Sequence, residues 1–236
     1  MPNILHIETS TSVCSVAVSV DGVVKNHFES LDGPSHASLL GVFVQKAVEY
    51  MRENSIKPDA VAVSCGPGSY TGLRIGVSEA KGLCFGWNVP LISVPTLELL
   101  ACGVMFRNFF DDDVLYCPMI DARRMEVYAA VYDNALSPVK PVGAYIVDEN
   151  TFADLLAERR IVFFGNGAEK CKTVIDHPHA TFIDAVHPMA TDMLALAERA
   201  YAQQKFEDVA YFEPFYLKEF VATLPVSYTH LTLPTI

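Results

Sequence analysis

Asp59-Ala60-Val61-Ala62-Val63-Ser64-Cys65 runs directly into Gly66-Pro67-Gly68-Ser69-Tyr70-Thr71-Gly72-Leu73-Arg74-Ile75-Gly76. The first part is a short apolar run rich in valine and reads as a buried strand over Asp59 to Ser64. The second part is a glycine-rich loop that opens a helix from about Leu73 to Phe85. Strand, glycine loop, helix is an α/β sequence of elements. Two uses fit such a loop. Free N–H groups at a helix start can cradle an anion while glycines let it reach the backbone. The other use is a tight turn into a closely packed helix. The loop lacks the Lys-Ser/Thr ending of a P-loop, and Arg74 is the one cation within it.

Moving outward, Gly72, Gly76, Ala80 and Cys84 are spaced by four and form one ridge of small residues. Each helical glycine costs roughly 1 kcal/mol relative to alanine, so the ridge needs an offsetting contact. Close approach of another helix, in this chain or a partner, is the simplest. Upstream, Leu39, Leu40, Phe43, Val44, Ala47, Val48 and Met51 make an apolar stripe at helical period. Further upstream, Ile4 to Glu8 is a short strand and Thr9-Ser10-Thr11-Ser12 a hydroxyl-rich turn. Val13 to Val20 is a second strand, which Asp21-Gly22 turns back into a third over Val23 to Phe28. Downstream, Leu91 to Val94 is a strand, and Thr96 is expected to cap a helix to about Arg107.

Phe109 to Asp113, aromatics followed by three acids, marks a boundary. Beyond it, Val114 to Ile120 and Glu126 to Tyr132 read as strands around the Asp121-Ala122-Arg123-Arg124 turn. Thr151 to Arg159 reads as a capped helix, Ile161 to Phe164 as a strand ending at Gly165-Asn166-Gly167, and Thr191 to Gln203 as an amphipathic helix. The expected domains are 1–108, an N-terminal lobe carrying the helix pair, and 109–225, a smaller second lobe. Residues 226–236 follow no period of the preceding fold and read as a non-native or disordered tail.

The chain has 236 residues, 51% hydrophobic, with 17 basic and 28 acidic side chains for a net charge of −11. That apolar content supports a sizeable core and excludes a mainly disordered chain. The acidic balance opposes a stand-alone nucleic-acid clamp. The apolar stretch Leu91 to Phe106 is interrupted by Pro95 and Glu98 and is too short for a membrane span. No signal-peptide pattern opens the chain, and the six cysteines form no C-x-x-C pair, so a reducing cytoplasm is expected.

Chemistry-bearing candidates are few. Glu8 beside Thr9 and Ser10 could place a metal or phosphate, as in actin-like ATPases, or could simply cap a turn. One acid alone cannot hold Mg²⁺ firmly. Gly165, Asn166 and Gly167 are the matching candidates in the second half. His36 opens the first long helix, either exposed or paired. The seven histidines include no H-x-x-x-H or H-E-x-x-H pair, and Ser69 and Thr71 lack a hydrolase elbow.

Ile7-Glu8-Thr9-Ser10-Thr11, the block Gly66 to Gly76, Ala80-Lys81-Gly82-Leu83, Asp121-Ala122-Arg123-Arg124-Met125-Glu126-Val127-Tyr128 and Tyr216-Leu217-Lys218 together resemble the TsaB family, also called YeaZ. The resemblance spans residue 4 to about 220. It implies an α/β fold of two lobes, actin-like/Hsp70-like/sugar-kinase (ASKHA), each lobe a mixed sheet with helices. It also implies a non-catalytic subunit in forming threonylcarbamoyladenosine in tRNAs that read codons beginning with A. Such subunits serve the catalytic partner TsaD together with the ATPase TsaE, and touch tRNA only through that complex. TsaD-like enzymes use an H-x-x-x-H pair plus an Asp for metal; here the corresponding region offers His36 alone. No catalytic residue, metal or cofactor is therefore expected.

The working surface expected from these readings is the helix pair. It comprises Leu39, Leu40, Phe43, Ala47 and Met51 on one helix, and Gly72, Leu73, Gly76, Ala80 and Cys84 on the other. That surface would form a homodimer in isolation and a heterodimer with TsaD. Two other classes stand beside this reading. One is a small-molecule kinase or ATPase of the same superfamily. The other is a metallopeptidase, the sense of the older glycoprotease name.

Overall fold

The computed structural model describes residues 1–31, 33, 36–110 and 113–218. The tail at 226–236 and two of the boundary acids, at 111 and 112, lie outside the described residues. Two five-stranded sheets build the protein. The first holds β1 (Ile4–Glu8), β2 (Cys14–Val20), β3 (Val23–Ser30), β4 (Ala60–Gly66) and β5 (Leu91–Pro95), in the order β3-β2-β1-β4-β5. The β1–β2 and β2–β3 pairs are antiparallel; β1–β4 and β4–β5 are parallel. Asp21 and Gly22, at φ +50° and +76°, make the hairpin turn that their sequence signalled.

The second sheet holds β6 (Leu115–Asp121), β7 (Glu126–Tyr132), β8 (Pro138–Ile146), β9 (Ile161–Phe164) and β10 (Ala180–Ile183). Its order, β8-β7-β6-β9-β10, and its pairing senses repeat those of the first sheet strand for strand. The fold is therefore duplicated, with β6 standing where β1 stands and β9 where β4 stands. Strand β8 carries no sequence signal because Pro138 and Pro141 interrupt it. Proline is tolerated there because β8 is an edge strand.

Helices α1 (His36–Glu53) and α2 (Tyr70–Trp87) cover one face of the first sheet. Leu40, Val44, Ala47 and Met51 of α1 and Val77, Ala80 and Cys84 of α2 meet Leu5, Ile7, Val16 and Val18. Helix α3 (Thr96–Arg107) lies between the two sheets. Leu97, Leu100 and Val104 pack on Tyr116, Ile120 and Phe164 of the second sheet, while Leu99 and Cys102 pack on Ile4, Ile92 and Val94 of the first. A helix buried on two sides needs an almost continuous apolar surface, and α3 has one. Thr96 does not cap it: Pro95 occupies the cap position, and the buried Thr96 Oγ1 has no hydrogen-bond partner among the described residues.

Helix α4 (Ala153–Glu158) is shorter than the expected 151–159 segment, and Phe152 stands at its cap position. The C-terminal part corrects the expected division at 109–225. The 3₁₀ turn Ala190–Met193 and α5 (Leu194–Ala202) return to the first lobe, where Met193, Leu196 and Ala197 pack on Ile4, Ala60 and Ile92. They cover first-sheet surface that α3 alone leaves open. From there the chain runs back across the first lobe, with Glu207 bridging Leu91 and Phe215 N donating to Cys65 O at 2.7 Å. Among the described residues no helix is long and apolar enough to cross a membrane.

Candidate functional site

The duplicated topology brings four strand ends to one place. The turns after β1 and β6 and the glycine loops after β4 and β9 meet at a cleft between the lobes, with a cavity of about 820 Å³. Each glycine loop lies against the turn of the neighbouring strand. Gly66 and Gly165 both have left-handed backbone, φ +111° and +99°, where a side chain is strained. A Cβ on Gly68 would overlap the Ser10 carbonyl, and one on Gly165 would overlap the Met119 carbonyl. Ser69 N donates to Ser10 O at 2.6 Å, and Gly167 N donates to Met119 O at 3.0 Å. Ser69 caps α2 through its hydroxyl, which accepts from Gly72 N.

Glu8 does not open into this cleft. It is completely buried, and its Oε1 accepts from Ser10 N and Ser10 Oγ, both at 2.5 Å. Burial pushes its carboxyl up to about 7 against the pull of the Ser10 bonds, and Oε2 has no hydrogen-bond partner among the described residues. Thr9 is equally buried and donates from Oγ1 to Gly72 O at 2.8 Å. Of the Gly165-Asn166-Gly167 set, Asn166 lines the cavity and accepts from Asp121 N through Oδ1 at 3.0 Å. His36 also lines it, nine-tenths buried, with Nε2 donating to Val13 O at 2.9 Å; of the two expected states, it is paired.

The glycine ridge turns inward, which corrects its reading as a partner contact. A Cβ on Gly72 would overlap the Thr9 carbonyl and one on Gly76 the Thr9 hydroxyl, so the ridge is packed on the β1 turn of this chain. Leu73, Ala80 and Cys84 are buried with it, as are Leu40, Ala47 and Met51 on α1; Leu39 and Phe43 are half-buried against the same core. The side of the helix pair open to solvent carries different residues. Among the described residues, nothing lies within 4 Å of a Cβ on Gly41, Gly82 or Gly86, and Val42 and Phe85 are exposed, Phe85 by 87%. A shallow groove of about 340 Å³ between α1 and α2 is lined by Gln45, Glu49, Arg52 and Glu79 among others.

Sequence reading overlooked the side chains that lock the second-lobe turn and the C-terminal strap. Lys170 Nζ donates to Asp121 Oδ1, Arg124 O and Glu126 O at 2.5, 2.6 and 2.7 Å. Lys218 pairs with Glu126 at 2.5 Å, and Tyr216 packs against Tyr70 with ring centroids 4.7 Å apart and planes tilted by 37°. These partners lie 44 to 146 residues apart and share no local pattern.

Two lobes of one duplicated topology, closed around a cleft where strand-end turns meet glycine loops, define a protein of the actin-like/Hsp70-like/sugar-kinase class. A family model described as TsaD, tRNA N6-adenosine threonylcarbamoyltransferase, matches residues 30–225. The chain is 33% identical over 227 residues to the tRNA threonylcarbamoyladenosine biosynthesis protein TsaB of Escherichia coli K12, covering 93% of this chain and 96% of that one. It is 36% identical over 122 residues to the TsaB of Bacillus subtilis 168, covering 49% of this chain and 50% of that one. The solved structure of YeaZ from Pseudomonas aeruginosa superposes with a TM-score of 0.77 at 26% identity, covering 92% of this chain and all of that one. The chain belongs to the TsaB (YeaZ) family.

Proposed function

We propose that this protein is the non-catalytic subunit required for threonylcarbamoyladenosine formation in tRNAs reading codons that begin with A, acting as scaffold and activator of TsaD together with TsaE. The observation that carries the reading is the state of the two acids at the strand ends. Glu8 is sealed beneath its own turn and bound to Ser10. Asp121, the acid among the described cleft-lining residues, is engaged by Lys170. A catalytic member of this fold would turn such carboxylates toward a metal or a phosphate. The full-length likeness to TsaB supports the same conclusion.

The partner surface is the outward side of α1 and α2, around Val42, Gly82, Phe85 and Gly86. Small residues let a second helix pair approach closely there, and Phe85 supplies an apolar anchor. The same surface serves a homodimer in isolation and a heterodimer with TsaD, TsaE joining the pair. The test is reconstitution: tRNA, ATP and threonylcarbamoyl-adenylate are supplied to this chain alone and then with TsaD and TsaE, and nucleosides are read by mass spectrometry. Product should appear in the second mixture and be absent from the first. Product from the isolated chain would overturn the reading, as would full activity of TsaD and TsaE without it.

A further inference from the structure

The strap that follows α5, residues 203–218, starts as part of the first lobe and ends on the second. Glu207 N donates to Leu91 O at 2.9 Å, and Glu207 Oε1 accepts from Ser93 Oγ at 2.5 Å. Lys81 Nζ, on α2, donates to Ala210 O and Phe212 O at 3.0 and 3.1 Å. Val209 and Phe212 pack on the core beneath α1 and α2, and the Phe215 carbonyl fills the space that a Cβ on Gly66 would need. The next three residues leave that track and line the cleft wall. Tyr216 lies against Tyr70, whose ring also carries the Arg74 guanidinium at 5.1 Å. Lys218 then crosses to the second lobe, where Nζ donates to Glu126 Oε2 at 2.5 Å. Its acceptor is held firmly. Lys170 donates to Asp121 Oδ1, Arg124 O and Glu126 O, a staple that fixes the turn carrying Arg123 to the segment after β9.

The chain itself passes between the lobes twice, after α3 and before the 3₁₀ turn Ala190–Met193. Those two passages are pinned to each other. Arg107, ending α3, pairs with Asp192 of that turn at 2.5 Å, and Gly103 leaves Asp192 the room to approach. Ala190 N donates to Ser15 Oγ at 2.9 Å, fixing the same turn to the first sheet. Two passages clasped at one place have the geometry of a hinge. This hinge packs on the Ile4 face of the first sheet, while the strap packs on the Leu5 and Ile7 face. Rotation of the second lobe about the hinge therefore changes the span that Lys218 and Tyr216 bridge.

We propose that residues 216–218 are a latch between the lobes. Closed, Tyr216 on Tyr70 and Lys218 on Glu126 hold the second lobe to the first; released, the second lobe turns about the Arg107–Asp192 clasp. The contacts have the strength of a switch. A half-exposed ion pair biases an equilibrium by about fivefold or less, and an aromatic pair by about two- to tenfold. The latched form is favoured while the open one stays populated. Lys218 is half-exposed, so ionic strength acts on the latch directly. The device stands independently of the role in tRNA modification, because it is built wholly from contacts within this chain.

The test measures the lobe separation in the full chain. Spin labels are attached at Val23→Cys on β3 and Glu149→Cys after β8, both exposed, and read by double electron–electron resonance. Dilution with unlabelled chain removes distances between copies, and the parent chain labelled in parallel corrects for Cys65. Lys218→Met and Glu126→Gln should each raise the long-distance population about two- to fivefold. Their combination should go no further than either alone, because both act through one contact. Tyr216→Ala should raise the same population. Salt at about 1 M should shift the parent likewise and leave Lys218→Met where it is. Lys172→Met, which breaks an ion pair to Asp184 within the second lobe, should match the parent. Circular dichroism verifies folding, and Glu126→Gln reads the contact from the other lobe should Lys218→Met not fold. Unchanged distances in Lys218→Met or Glu126→Gln would overturn the proposal. An equal shift in Lys172→Met would do so too, because it would reveal a general effect of lost charge.

Discussion

Replacing Gly76 by alanine tests which way α2 faces. The added methyl would overlap Thr9 Oγ1 and sit 3.4 and 3.5 Å from Thr9 Cβ and Cγ2. Thr9 has no exposed surface, and its hydroxyl is held by the Gly72 carbonyl, so it cannot swing aside without breaking a buried bond. Overpacking of this kind costs about 1–3 kcal/mol. A broken buried hydrogen bond adds about 1 kcal/mol. Against this, alanine stabilises a helix relative to glycine by about 0.4–1 kcal/mol. The steric terms win, and Gly76→Ala should lose about 1–3 kcal/mol in urea unfolding. For a chain of this length that is a fall of about 3–10 °C in melting temperature. The matched control is Gly82→Ala, on the open side of the same helix, which should instead gain about 0.5–1 kcal/mol. Adding Thr9→Ala to Gly76→Ala removes the clashing hydroxyl and should recover at least half of the loss. The reasoning is refuted if Gly76→Ala unfolds at the urea concentration of the parent, or if Thr9→Ala deepens the loss.

Three further outcomes are expected. Phe85→Asp should abolish self-association and TsaD binding in analytical ultracentrifugation while moving the melting temperature little, since that side chain is 87% exposed; a folded variant that still pairs normally would place the interface elsewhere. Glu8, raised by burial from its ordinary 4.5 to about 7, is protonated in the fold at pH values where the unfolded chain has released the proton. Stability should be greatest below about pH 4.5 as far as this group is concerned and fall as pH rises through 7, by on the order of 3 kcal/mol. Glu8→Gln should flatten that slope between pH 5 and 8 in urea titrations, and an unchanged slope would count against it. Gel shifts at physiological salt should show weak tRNA binding by the isolated chain, because a net charge of −11 leaves few phosphates to neutralise; low-micromolar affinity would contradict this.

What the amino-acid sequence alone determined is what local patterns can carry. Alternating valines and Asp21-Gly22 specify the β2–β3 hairpin, and the stripe on α1 specifies its buried side. The glycine block marks a strand-to-helix turn, because few other residues tolerate such backbone and such crowding. Relations between distant segments are written in no local pattern and emerge only in the folded chain. The spacing of Gly72, Gly76, Ala80 and Cys84 announces a close approach but cannot say to what; the position of Thr9 decides that the approach is internal. The duplication of the two sheets is invisible locally, since the same topology is written with different side chains and a proline-bearing edge strand. Likewise, the staple from Lys170 to the Arg123 turn and the return of α5 to the first lobe join residues far apart in the chain. A period along the chain records which side of an element is apolar. The identity of the surface that side meets is set only when the chain closes on itself.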